Sequence, residues 1–205
     1  MCQFLSALIL KNGDVLTHPM LDSHADLVVY FKLPDTNASI SYFAKVELRP
    51  EDWMDVSTWE FLLDEPTAPP WWPDIAGQAE ATLRARATRM ALRDGEHRLI
   101  LDGCWIAGGT AILRDVRGGR FLAVCGSAQI HDVGGSAQIH DVRGSAQIDG
   151  VWDTAQIHGV RGSAQIYDVR DSAQIQGVRD SAQIHNVWGS AQIYDVRDSA
   201  QIQGV

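Results

Sequence analysis

From Gly126 to Val205 the chain is one nine-residue phrase written nine times, the first copy reading Gly-Ser-Ala-Gln-Ile-His-Asp-Val-Gly over residues 126–134 and the last copy one residue short. Numbered one to nine, its positions are Gly/Asp, Ser/Thr, Ala, Gln, Ile, a variable residue, Asp/Gly/Asn, Val, and Arg/Trp/Gly; Ala, Gln, Ile and Val are the same in every copy. Ala and Ile lie two apart, so on an extended strand they share one face while Ser/Thr, Gln and the variable sixth residue take the other. Val comes three residues after Ile and breaks that period. A bend at position seven returns Val to the apolar face, and the Gly or Asp at position one turns the chain again. A helix needs apolar residues at three-and-four spacing and tolerates neither this much Gly nor this much β-branching. One nonad cannot bury its own face, so the copies must stack and share a core, as in a solenoid. The tail is therefore expected to be an all-β parallel β-solenoid (β-helix) with coils about 4.8 Å apart.

The variable positions bear on how many nonads close one coil. Tyr167 recurs at Tyr194, Gln176 at Gln203, His131 at His158 and His185, and Gly150 at Gly177 and Gly204, each three copies apart. This favours a three-sided coil of three nonads (27 residues) with like residues stacked. A flattened coil of two nonads (18 residues) is the alternative, and duplication of a three-unit gene block would leave the same recurrence.

Worn copies precede the clean ones. Residues 109–117 keep the phrase with Ile112 and Leu113 in place of Gln and Ile, and residues 118–125 are a copy one residue short. The expected organisation is a small α+β head at 1–97, a degenerate-repeat cap or first coil at 98–125, and the solenoid at 126–205. With no capping helix or charged loop after the last nonad, an open coil would present unpaired backbone groups. Gln201, Ile202 and Val205 are its candidate interface residues, joined by Trp152 and Trp188 at position nine as exposed candidates for partner contact.

In the head, residues 4–10, Asn12-Gly13 and residues 15–20 read as a hairpin. Ser23 caps a short helix through Phe31, and residues 41–48 alternate as a strand. Pro50 and Ser57 flank a short helical stretch that carries Trp53, Trp59, Phe61 and Leu62. Residues 66–73, with Trp71 and Trp72, form a rigid connector. Residues 74–93 are the clearest helix, with Ile75, Ala79, Leu83, Ala87, Met90 and Ala91 in one stripe and Arg84, Arg86, Arg89 and Arg93 mostly away from it as a solvated face. A last strand covers 98–106.

The formal net charge is −9, of which nine Asp and five Arg give the tail −4 and leave −5 to head and cap. That balance argues against direct nucleic-acid binding, which needs clustered Lys and Arg. Cys2, Cys104 and Cys125 are too scattered for a disulfide framework and show no metal spacing. The short apolar run 4–10 lacks a basic start and a cleavage site, and no window approaches a membrane span, so a cytoplasmic protein is expected.

Cys2 is the one candidate catalytic residue. Trimming of Met1 would leave a cysteine whose own amine can serve as base for its thiolate. An N-terminal Cys opening a strand resembles the start of N-terminal-nucleophile amidotransferases and of proteins that capture abasic sites, although Gln3 replaces the glycine that commonly follows there. His18 and His24, near Asp14, Asp22 and Asp26, suggest a metal site or a base for Cys2 but follow no ligand motif. His131, His140, His158 and His185 stand at position six, three of them in one column if the coil has three sides. The tail lacks the Gly-Gly-x-Gly-x-Asp phrase of calcium-binding nonads and the flat Thr rows of ice-binding solenoids; its Gln column is expected to form a hydrogen-bonded ladder. No metal or cofactor is expected.

The Met1-Cys2 opening with Phe4, Ser6 and Ala7, the Asn12-Gly13-Asp14 turn, Glu51-Asp52-Trp53, Trp71-Trp72 and the repeat tail together resemble a loose group of uncharacterised phage and metagenomic proteins, a likeness that brings no established activity. In outline the tail is also similar to pentapeptide-repeat and other β-helix proteins, but its period differs and no functional residue carries over. The expected function is that of a non-enzymatic interaction or structural protein whose acidic solenoid binds a protein partner or forms a homo-oligomer through its C-terminal coil. A Cys2-dependent hydrolase or transferase on a solenoid scaffold, and an acidic DNA mimic, are the alternatives; the interspersed Arg143, Arg161, Arg170, Arg179 and Arg197 weaken the last.

Overall fold

The structure is a computed structural model that describes residues 5–34 and 42–204. The chain divides into two compact units, Met1–Met90 and Ala91–Val205.

In the first unit, β1 (Leu5–Leu10), β2 (Val15–Leu16), β3 (Phe43–Arg49) and β4 (Glu60–Leu63) form an antiparallel sheet in the order β2-β1-β3-β4. The Asn12-Gly13 turn joins β1 to β2 as its sequence predicts, with Gly13 at φ 88°. Ser23 caps α1 (His24–Tyr30), its Oγ accepting from Asp26 N–H at 3.0 Å. Leu27 and Val28 of that helix pack on Leu8 and Phe43. α2 (Trp72–Met90) buries Ala79, Leu83 and Ala87, three members of the expected stripe. It starts inside the expected connector because Pro73 suits the first turn of a helix. The expected helical stretch around Trp59 is instead a 3₁₀ turn at Val56–Thr58 followed by β4, which pairs with β3 through Leu48↔Phe61 and Val46↔Leu63.

The second unit is a parallel β-solenoid. One sheet comprises β6 (Glu96–His97), β8 (Ile112–Val116), β10 (Gln129–Val133), β12 (Gln147–Val151), β14 (Gln165–Val169), β16 (Gln183–Val187) and β18 (Gln201–Ile202), each paired with the next. The other comprises β5 (Ala91–Leu92), β7 (Cys104–Ala107), β9 (Arg120–Val124), β11 (Gln138–Ile139), β13 (Gln156–Ile157), β15 (Gln174–Val178) and β17 (Gln192–Val196). Successive nonads alternate between the sheets, and the Ala, Ile and Val of both fill one two-layer core, fully buried from Ala137 to Ile148 and again from Ala164 to Ile184.

The favoured three-nonad coil is therefore overturned: Gln129 pairs with Gln147, Gln147 with Gln165 and Gln165 with Gln183, so a coil is two nonads, 18 residues. The reason lies at the nonad boundary. There the Ala N–H donates to the carbonyl of position nine, as in Ala137 to Gly134 at 3.2 Å and Ala173 to Arg170 at 3.3 Å. A hydrogen-bonded four-residue turn of this kind reverses the chain, so two of them complete a coil. Position one supplies its left-handed residue, with φ between 56° and 69° in the clean copies from Gly126 to Asp198.

Toward its N-terminal end the solenoid tightens. Pairs across one coil run Gln129↔Gln147, then Gln129↔Ile112, then Glu96↔Ile112, spacings of 18, 17 and 16 residues. The worn copies are thus coils of the same solenoid with shortened corners, and pairing reaches back to Ala91.

Candidate interaction surface

Because a coil is two nonads, the repeat positions make separate columns on each sheet and at each corner. The corner after the odd-numbered strands carries Arg143, Arg161, Arg179 and Arg197, each at position nine. They interleave with acids: Asp141, itself buried, lies 2.6 Å from Arg161 Nη2 and 3.4 Å from Arg143 Nε, and Asp195 pairs with Arg179 and Arg197. The Asp141 carboxylate raises the Arg161 guanidinium above its ordinary value by accepting its hydrogen bond.

The opposite corner alternates Arg117, Gly134, Trp152, Arg170 and Trp188. The Trp152 indole lies between two guanidinium groups, 5.5 Å from Arg117 and 4.4 Å from Arg170. It occupies the space above Gly134, where a Cβ would stand 2.2 Å from Trp152 Nε1. A side chain at position 134 would have to displace the indole. Trp152 is thus half-buried in a cation–π stack, while Trp188 is 62 % exposed.

Position six forms two columns rather than the expected single histidine column. On the even-numbered sheet the sequence Arg114, His131, Asp149 is linked side chain to side chain: Arg114 Nη1 lies 2.9 Å from His131 Nε2, and His131 Nδ1 lies 2.6 Å from Asp149. A guanidinium can only donate, so Nε2 accepts and Nδ1–H donates to Asp149. At the foot of this column Arg114 pairs with Glu96, whose carboxyl it holds below the usual range. Further along, Tyr167 and His185 stack with ring centres 5.0 Å apart. On the other sheet Arg120 Nε donates to His140 Nε2 at 2.9 Å, and His140 stands 5.1 Å from His158. The constant Gln residues do not bond one another along the column; Tyr167 and Tyr194 instead donate to the Gln two residues back on their own strand.

Among the described residues, the large apolar side chains of the clean repeats that are exposed gather in the last coils: Trp188, Tyr194 (48 %) and Val196 (43 %). Ala191, Ile193, Ala200 and Ile202 are only partly covered, although their counterparts in earlier coils are buried. Of the expected interface residues, Gln201 and Ile202 form β18, the last strand of its sheet, and Val205 lies outside the described residues. So does Cys2. Cys104 is half-buried, and Cys125 is buried with its Sγ 3.6 Å from Ala107 O.

In the head, His18 accepts from Met20 N–H through Nδ1 and its ring faces Tyr30, whereas His24 meets Glu47 and Asp64. Neither acid is near His24 along the chain, so local spacing does not point to them. No described helix is long and apolar enough to cross a membrane.

Fold and surface together define a two-sided parallel β-solenoid of nonapeptide repeats preceded by a small α+β head. No protein-family model, curated protein or solved structure matches the chain.

Proposed function

We propose that the chain is a non-enzymatic interaction protein whose final coils bind a second copy of itself. The observation that carries this reading is the gathering of Trp188, Tyr194 and Val196 beside the half-covered Ile193 and Ile202. Interior coils bury these Ile and Val positions completely by stacking the same phrase above and below. A coil of this phrase therefore matches that surface in strand length and apolar spacing, and another copy of the chain carries one. Arg179 and Arg197 pair with Asp195 there, which sets cations among the acids of the last coils and lessens like-charge repulsion between two copies.

Light-scattering mass across a concentration series tests this. The chain should exceed its 22.5 kDa monomer mass as concentration rises, and Val196→Lys, at a site open enough to hold Lys in the monomer, should return it to monomer. A chain that is monomeric throughout, or a Val196→Lys variant that associates equally well, would overturn the reading. In that case the Arg117–Trp152–Arg170–Trp188 corner, with its one free indole face at Trp188, becomes the better candidate for a different protein partner.

A further inference from the structure

We propose that the head binds a divalent transition-metal ion, of which Zn²⁺ is the type, between His24, Glu47 and Asp64. The three come from separate elements: the first residue of α1, the middle of β3, and the residue after β4. Their ligating atoms all lie within 4.8 Å of one another. Antiparallel pairing sets this convergence. Asp64 N–H donates to Lys45 O at 2.8 Å, which fixes Asp64 beside β3. His24 and Glu47 are 5 % and 7 % exposed, whereas the Asp64 side chain is 57 % exposed and leaves the site a route from solvent.

The histidine carries the inference furthest. Its Nε2 is 2.9 Å from the carbonyl oxygen of Val46. A carbonyl only accepts, so Nε2 bears the proton. The other nitrogen, Nδ1, stands 3.1 Å from Asp64 Oδ2. That nitrogen is the one turned toward the carboxylates of Glu47 and Asp64, as a metal ligand must be, and an imidazole whose second N–H is held by a backbone carbonyl is the usual outer arrangement of a metal-bound histidine. The dimensions suit it, since ligands at about 2.1 Å from a four-coordinate ion are ~3.4 Å apart. Glu47 adds a second carboxylate, with Arg49 Nη2 3.3 Å from its Oε2 and so orienting the group. One imidazole and two carboxylates favour zinc-like ions over calcium, which takes more oxygen ligands. The rival arrangement is a protonated His24 donating to Asp64 with no ion present.

Titration of the full chain with Zn²⁺ by calorimetry, and with Co²⁺ by visible absorption, separates the two. Uptake of one ion per chain is expected, with a rise in melting temperature on adding Zn²⁺. Asp64→Asn, an exposed and nearly isosteric change, should weaken binding about tenfold or more and remove the thermal shift; His24→Gln should abolish uptake. His140→Gln with His158→Gln should leave uptake unchanged. Absence of uptake, equal affinity in Asp64→Asn, or loss of uptake only with the solenoid histidines would overturn the proposal. The outcome is independent of whether the solenoid self-associates.

Discussion

Position one of the nonad holds only Gly and Asp because its backbone is left-handed in every clean copy. An ordinary L-residue loses about 1–2 kcal/mol there, and Asp is among the few that visit the region routinely. Its carboxylate also finds work at that site: Asp153 accepts from Gly135 N–H and Asp180 from Gly162 N–H, both at 2.9 Å, and Asp171 and Asp198 repeat the contact one coil on at 3.4 Å. Each Asp thus closes a backbone donor of the preceding coil, offsetting the strain that Gly avoids outright. At position six, His158 responds to pH instead. Burial, followed by the charge of Arg120, holds His158 below its ordinary value of 6.5. The unfolded chain therefore takes up a proton near pH 6.5 that the folded chain still refuses, so stability falls as pH drops below about 6.5 and is fully present above it. Asp132 acts with the opposite sign, because burial and Asp115 raise its carboxyl and acidification relieves it. A difference between variants is needed to isolate the histidine. Gln occupies position six at Gln176 and Gln203, so His158→Gln should fold normally. Its melting temperature should fall less than the wild type's between about pH 7.5 and 5.5. Parallel curves for the two proteins would remove His158 from the account.

At the scale of elements, the head is held by a contact that amphipathic patterning assigned to solvent. Arg84, on the presumed polar side of α2, donates from Nη1 to Val56 O and from Nη2 to Trp59 O, both at 2.6 Å, and meets Glu80 through Nε at 2.9 Å. It clamps the helix to the 3₁₀ turn and the start of β4. Arg86 likewise donates to Thr17 Oγ1 at 2.6 Å. Lys cannot span two carbonyls and a carboxylate from one planar group. Arg84→Lys should therefore cost about 1–3 kcal/mol in chemical denaturation, whereas Arg89→Lys, on the exposed side, should be nearly silent; equal effects would show that the clamp contributes nothing. The same element shows what the sequence could and could not disclose. Ala79, Leu83 and Ala87 announce their burial through helical spacing, and Ser23 and Asn12-Gly13 announce a cap and a turn through local backbone chemistry. The partners of Arg84 lie at Val56 and Trp59, reachable only once β3 and β4 have paired. The His24, Glu47 and Asp64 cluster is hidden for the same reason, since strand register, not spacing along the chain, brings its members together.

For the whole molecule, the deciding quantity is the number of nonads per coil, and the residues that suggested three are those least coupled to stacking. Ala, Ile and Val fill the core and are identical in every clean copy, so they fit any coil length. Recurrence of Tyr, His and Gln at position six every three copies records the history of the array: Tyr167 and Tyr194 lie on opposite sheets, in β14 and β17. The turn at positions nine, one, two and three closes the coil after two nonads, and its signal was present as the Gly/Asp column but gives an angle only through its hydrogen bond. Columns built at 18-residue spacing have side-chain contacts of their own, such as Tyr167 on His185 and Trp152 over Gly134. Paired labels separate the two coils directly. In a chain whose Cys2, Cys104 and Cys125 are replaced by Ser, pyrene carried by Tyr167→Cys and His185→Cys should give strong excimer emission in the monomer, because stacked strands are about 4.8 Å apart. Pyrene on Tyr167→Cys and Tyr194→Cys, 27 residues apart, should give monomer emission alone. Excimer from the second pair and none from the first would restore the three-sided coil; it would also redistribute Arg143, Trp152, Arg161, Arg170 and Trp188 among three corners, dissolving the all-Arg column and the Trp152 stack on which the surface reading depends.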